Sequence, residues 1–267
     1  MNRSTDDHRH FARVASVYGR VRNTDSDVVE AIVPRLPRRT NHLEIADIGC
    51  GTGRYSLVLA QSLPGDWRMW CCDFSREMLR ECWTRMGRYL PKALFSCTRV
   101  SADNLPFSDS SLDAVCTFNA VHHFNLERFV VEATRTLAPG GLLAIYTRTP
   151  EQNARNIWGR YFPGFTHYEA RLFPRERLEQ AVLAAEALML EEIQEFAYNR
   201  VESIASLLGR ACRFHYSTFA LYPPEEYQRS LAIFAERLAA LGNGPIEHSA
   251  ENTLVLARRR DDPAFTT

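Results

Sequence analysis

From Leu43 onward, short apolar runs alternate with longer stretches of helical spacing. Leu43 to Ile48, Trp67 to Asp73, Leu94 to Val100, Leu112 to Phe118 and Leu142 to Thr147 have the length of buried strands. Between them, helices are predicted after Gly53, from Ser75–Glu77 to about Leu90, and from Leu126 to Leu137. Pro64-Gly65 and Ala138-Pro139-Gly140-Gly141 are stop signals, and Ser75 is a natural N-cap. This alternation predicts a largely parallel, doubly wound α/β sheet. Ligands of such sheets sit beyond the carboxyl ends of the strands.

The flanks follow a different pattern. Residues 1–10 are polar and expected to be disordered, while Phe11, Val14, Val17, Tyr18 and Val21 share one helical face. A helix is predicted over Asp25–Leu36, capped by Asp25 or Ser26 and closed before Pro37. After Pro150 the chain is rich in aromatic residues up to Phe173, then helical over Arg175–Ala187. A sixth strand is predicted over Leu190–Tyr198, two or three helices over residues 200–241, and a last strand at Thr253–Ala257. We divide the chain into an N-terminal helical cap (1–40), a core (41–150), helical and aromatic insertions that include the sixth strand (151–250), and a last strand with tail (251–267).

Lys plus Arg and Asp plus Glu are both 32, so the net charge is zero and no broad positive field for nucleic acid is expected. Arg258-Arg259-Arg260 is expected at a solvated edge. The 7 cysteines show no Cys-x-x-Cys spacing, which suits a reducing compartment. There is no apolar signal segment and no stretch near the roughly 18 apolar residues of a spanning helix. The expectation is a cytoplasmic protein, monomer or homodimer, with a small-molecule partner and no membrane span.

Candidate chemistry begins at Asp47-Ile48-Gly49-Cys50-Gly51-Thr52-Gly53. A strand running into glycines at alternate positions and then a helix makes a tight turn, expected to offer backbone N–H groups to a ligand. Asp73 ends the next strand, where an acid accepts hydrogen bonds from both hydroxyls of a ribose. Phe74 offers a face for adenine, and Asp103 and Asn104 of the third loop suit the adenine edge. One adenosine-type ligand would touch all three loop ends.

With these residues the chain resembles the class I S-adenosylmethionine-dependent methyltransferases, in particular the group containing the ubiquinone and menaquinone C-methyltransferases. The matching segments are the glycine turn, Asp73-Phe74-Ser75-Arg76-Glu77-Met78-Leu79, Ala102-Asp103-Asn104-Leu105-Pro106-Phe107, Asn119-Ala120-Val121-His122-His123-Phe124 and Leu137-Ala138-Pro139-Gly140-Gly141. They cover about residues 43–148. The resemblance implies a Rossmann-like, seven-stranded sheet with its last strand antiparallel and helical insertions forming a lid. It implies S-adenosyl-L-methionine as cofactor, with its methionine end against Gly49, Gly51 and Asn119. Gly53 closes the turn beside Cys50, which is either at the cofactor or a small filler. Asp73 would hold the ribose, Phe74 and Met78 the adenosine, and Asp103, Asn104 and Leu105 the adenine. Tyr18 and Arg22 stand where relatives carry residues that cover the cofactor. Asp47 either contacts the ligand or braces the turn, and Met78 is either a contact or core.

Methyl transfer from a sulfonium is an in-line displacement that depends mainly on orientation. A base is needed only where the acceptor must lose a proton. His122 and His123 are the candidates; adjacent residues at a strand end point apart, so one at most is expected to face the acceptor. The other reading is capping or packing. No Asn/Asp-Pro-Pro-Tyr/Phe motif follows the fourth strand; Asp103-Asn104 fits an adenine loop better than a metal site, and no metal is expected. The insertions bring Arg148, Trp158, Tyr161, Phe162, His215 and Tyr216, which form either an aromatic acceptor site or the cores of the added helices. The expected activity is methylation of a small organic acceptor on O, N or C. Quinone C-methylation and cofactor binding without turnover are the alternatives.

Overall fold

The computed structural model describes residues 24–37 and 42–261. The amphipathic segment with Tyr18 and Arg22 lies outside the described residues. Seven strands, β1 (His42–Ile48), β2 (Asp66–Asp73), β3 (Phe95–Arg99), β4 (Leu112–Phe118), β5 (Leu137–Thr147), β6 (Leu188–Glu202) and β7 (Ile246–Arg259), form one sheet. Their order is β3-β2-β1-β4-β5-β7-β6. Strands β1 to β5 pair in parallel, and β7 runs antiparallel to β5. The expected Rossmann-like sheet is thus present. Its central strands carry long apolar runs because helices cover both faces; Leu142 to Tyr146 of β5 are all buried. The chain leaves β1 toward β2 and β3, then returns on the other side as β4 and β5. This reversal opens the ligand crevice of such folds at the carboxyl ends of β1 and β4.

Ten helices of the described residues accompany the strands. Those around the first five strands are α1 (Asp27–Ile32), α2 (Arg54–Ser62), α3 (Arg76–Met86) and α4 (Leu126–Thr136). Then come α5 (Pro150–Arg155), α6 (Ile157–Tyr161), α7 (Phe165–Tyr168), α8 (Arg175–Leu183), α9 (Ile204–Cys212) and α10 (Pro224–Ala239). Helix α3 starts as its sequence predicts: the Ser75 hydroxyl accepts the Met78 N–H at 3.2 Å. Helix α1 does not. Ser26 takes the cap position without a side-chain capping bond, and Asp25 is engaged elsewhere.

The chain divides into two compact units. Among the described residues, the core unit contains 24–37, 42–147, 175–194 and 253–261. It therefore takes back α8 and the start of β6 from the stretch grouped by sequence as insertions. Helix α8 buries Leu178, Ala181 and Val182, and Arg177 pairs with Glu127 of α4. The Arg258–Arg260 run is not a bare solvated edge. Arg258 pairs with Glu191 and donates to the carbonyls of Gly140 and Arg35. Arg259 reaches the Leu137 carbonyl and Arg260 that of Glu186. A guanidinium fork satisfies several carbonyls at once, and a run of three can clasp neighbouring elements.

The helical unit contains residues 148–174 and 195–252 among those described. Trp158, Phe162, Phe165, Phe219, Tyr227 and Phe234 meet in its core. Edge-on and tilted ring pairs dominate there, such as Phe162–Phe219 at 4.9 Å and Phe162–Tyr222 at 5.6 Å. Those are the arrangements that aromatic quadrupoles favour. Gly159 permits the close turn between α5 and α6, since a Cβ there would lie 2.1 Å from the Asn153 carbonyl oxygen.

Candidate active site

The three glycines after β1 all have positive φ, at 73°, 55° and 72°, yet each serves a different purpose. A Cβ on Gly49 would lie 2.5 Å from Ala120 Cβ and 2.9 Å from the Phe124 ring, so this glycine lets the loop after β4 close in. A Cβ on Gly53 would lie 2.6 Å from Cys82 Sγ, so this one lets α3 approach. At Gly51 such an atom would meet nothing within 4 Å. Gly51 is the glycine that faces open space.

The turn does not offer its N–H groups outward as expected. Gly49 and Cys50 both donate to the Cys72 carbonyl, at 2.7 and 2.9 Å. Gly53 donates to the Cys50 carbonyl at 3.0 Å, and Gly51 to Asp73 Oδ2 at 2.8 Å. These donors close the turn on itself and lock it to β2. Arg85 of α3 adds a 2.9 Å bond to the Thr52 carbonyl. Beside the turn stand two carboxyl groups, Asp73 and Asp47. Asp73 takes one further N–H, from Ser75 at 2.8 Å on Oδ1, so each oxygen keeps a lone pair. Asp47 is 1% exposed; its Oδ2 accepts from Ser56 at 2.5 Å, while Oδ1 is buried with no partner. Burial pushes its carboxyl up to about 8 against the pull of Ser56. Burial likewise raises Asp73, which backbone donors and the nearby His123 oppose.

Asn119 follows β4 at φ 54° and donates its N–H to the Tyr146 carbonyl at 2.7 Å. Asparagine is among the few side chains that occupy this region readily. A left-handed residue at the switch point bends the chain into the 3₁₀ turn Val121–His123. The turn corrects the expectation that the two histidines point apart: their ring centroids are 4.2 Å apart, because a 3₁₀ turn does not alternate side chains as a strand does.

The loop after β3 is held from α4. Glu132 accepts the Leu105 N–H at 2.7 Å. Arg135 donates to the carbonyls of Leu105 and Phe107 at 3.0 and 2.8 Å. Leu105 is buried, Asp103 half-buried and Asn104 exposed. Phe74 is 42% exposed, with the Arg99 guanidinium 4.7 Å from its ring centroid. Met78 is buried in the core, and Cys50 donates its thiol to the Gly51 carbonyl at 3.7 Å.

Sequence reasoning missed a second acid at this end of the sheet. Asp25 accepts from the hydroxyls of Tyr55 (3.4 Å) and Tyr146 (3.2 Å). Tyr55 stacks on Phe118 at 4.7 Å with 5° between the planes. Asp25 had a plausible local role as a helix cap, which concealed its long-range one. The tyrosines carried no signal, since aromatic residues in apolar runs pass for core.

In the helical unit, Trp158, Phe162 and His215 are buried against one another and their neighbours. Their rings fill the core, which corrects the expectation that they line an acceptor site. Arg148 and Tyr216 join by a 3.0 Å bond. Tyr161 lines an open groove of about 710 Å³ with Arg155, Arg160 and His248.

Residues 46–145 match the methyltransferase domain family. These residues are a class I methyltransferase domain of the S-adenosylmethionine-dependent kind. The methyltransferase domain spans the glycine turn, Asp73, the β3 loop and the histidine turn. The chain is 34% identical over 117 residues to "Probable tRNA methyltransferase 9B" of Mus musculus, a match covering 42% of this chain and 23% of that protein. It is 29% identical to malonyl-[acyl-carrier protein] O-methyltransferase of Alcanivorax borkumensis, over 78% of this chain and 71% of that one. Among solved structures, geranyl diphosphate C-methyltransferase of Streptomyces coelicolor, in complex with S-adenosyl-L-homocysteine, shares the fold. It has a TM-score of 0.56 and 16% identity, over 88% of this chain and 76% of that one. This chain thus spans under a quarter of the tRNA methyltransferase relative.

Proposed function

We propose that the chain transfers a methyl group from S-adenosylmethionine to a small organic acceptor. The observation that carries the reading is the acid-flanked turn: Gly51 open, Asp73 locked to it, and Asp47 Oδ1 buried without a partner. A ligand with a cationic methionine end and a ribose diol requires this polarity. Asp47 would face the α-ammonium and Asp73 the ribose hydroxyls, with Phe74, Asp103 and Asn104 at the adenine. When bound, the cofactor supplies an electrophilic methyl carbon on a sulfonium.

The protein orients the acceptor and, where needed, removes its proton. In the neutral state either ring of the His122–His123 pair can accept a proton at an imidazole nitrogen. A second reading, methylation of tRNA, has the 34% identity to tRNA methyltransferase 9B behind it. The zero net charge supports the small acceptor instead, because phosphate-backbone binding depends on excess Lys and Arg.

Calorimetry with S-adenosylmethionine, followed by release of S-adenosylhomocysteine over panels of small carboxylate-bearing aromatics and bulk tRNA, tests the proposal. Release with a small acceptor supports it. Turnover on tRNA alone, or binding without turnover on either panel, overturns it.

A further inference from the structure

Four of the cysteines are far apart in sequence and come together in space. Cys71 lies on β2, Cys82 on α3 and Cys97 on β3, and their Sγ atoms all lie within 4.8 Å of one another. Cys50, from the glycine turn, stands beside Cys71 and Cys82 and directs its thiol to the Gly51 carbonyl at 3.7 Å. All four are free thiols. Tetrahedral zinc thiolate sites have Zn–S bonds of about 2.3 Å, which places their sulfurs about 3.8 Å apart. The cluster would close by about 1 Å to reach that geometry.

Buried reduced cysteines commonly act as small hydrophobes, and Cys116 does so within β4. The cluster differs in that its thiols face one another rather than aliphatic neighbours. Sulfur-lined and largely buried, such a centre selects a thiophilic cation.

We propose that Cys71, Cys82 and Cys97, completed by Cys50, bind one thiophilic d¹⁰ cation of the zinc type beside the glycine turn. Binding exchanges thiol protons for metal–sulfur bonds and releases those protons to solvent, with no change of oxidation state. The sequence conceals the site because its ligands come from a turn, two strands and a helix, with none of the short spacings that mark zinc motifs.

The test is an anaerobic titration of the full chain, reduced and stripped of metal, with cadmium as spectroscopic probe and with zinc against a chromophoric chelator. The expected result is one cation per chain, a sulfur-to-cadmium charge-transfer band, and a higher melting temperature with metal. Cys82→Ser and Cys97→Ser should each weaken binding by at least about tenfold, while Cys212→Ser, at an exposed position, should not change it. Circular dichroism checks that the variants fold, and the wild-type band stands independently of them. Absence of a stoichiometric band in the wild type overturns the proposal. So does unchanged binding in both folded serine variants. Mass spectrometry detecting a disulfide within the cluster, with no metal uptake by the reduced protein, also overturns it.

Discussion

At Asp47 burial and hydrogen bonding pull in opposite directions, and burial dominates. Its carboxyl rises from 3.8 to about 8, so between those values the folded protein holds a proton that the unfolded chain has lost. The resulting stability is present in full below the unfolded value and is lost as pH rises through the window. Asp47→Asn should flatten the melting temperature against pH over that range. A cationic ligand favours the ionised form, so S-adenosylmethionine affinity should increase toward pH 8 with release of a proton. Calorimetry in buffers of different ionisation heat would detect that release; its absence would leave Asp47 as a brace for the turn. The glycines give a second comparison. Gly51→Ala incurs only the left-handed strain of about 1–2 kcal/mol, while Gly53→Ala adds a collision with Cys82. Gly53→Ala should melt lower, and Gly51→Ala should lose more cofactor affinity for each degree lost. Melting curves and titrations of the two variants decide it.

For whole elements, the sequence was most legible where one local signal had one reading. Ser75 capped its helix as expected, and the apolar runs became β1 to β5. It was least legible where a residue had a local alternative or where polarity masked a strand. Asp25 had a capping role available locally but bonds Tyr55 and Tyr146 instead. Strands β6 and β7 run well beyond their apolar centres, because β6 ends the sheet order and an edge strand carries many charges. The distinct duties of the three glycines were invisible, since each depends on what packs opposite. The β3 loop was readable as adenine-facing, but its anchors on α4 were not. Arg135→Ala removes donors to Leu105, Phe107 and Glu132. We expect a loss of about 1.5–3 kcal/mol in stability and weaker cofactor binding, with the rate at saturating cofactor nearly unchanged. Separate measurement of Kd and kcat checks the split.

On the scale of the whole molecule, the helical unit depends on its aromatic core. Phe162→Ala should destabilise by about 3–5 kcal/mol, the usual cost of emptying a buried phenylalanine site, as read by chemical denaturation. His215→Ala, inside the same core, should act through stability. If it slowed methyl transfer without lowering the melting temperature, the packing assignment would fail.

The chain passes between the two units at residues 147/148, 174/175, 194/195 and 252/253, and the last two crossings fall inside β6 and β7. Acceptor specificity in such a protein would therefore not be inherited as one cassette. The aromatic core draws Trp158, Phe162 and Phe165 from the first inserted segment and Phe219, Tyr227 and Phe234 from the second. A chimera receiving one segment from a homologue would acquire half a core, with large rings facing partners shaped for another sequence. A chimera receiving both, joined within the two strands, would keep those rings matched. Divergence toward a new acceptor is then expected to proceed by coordinated change in both segments.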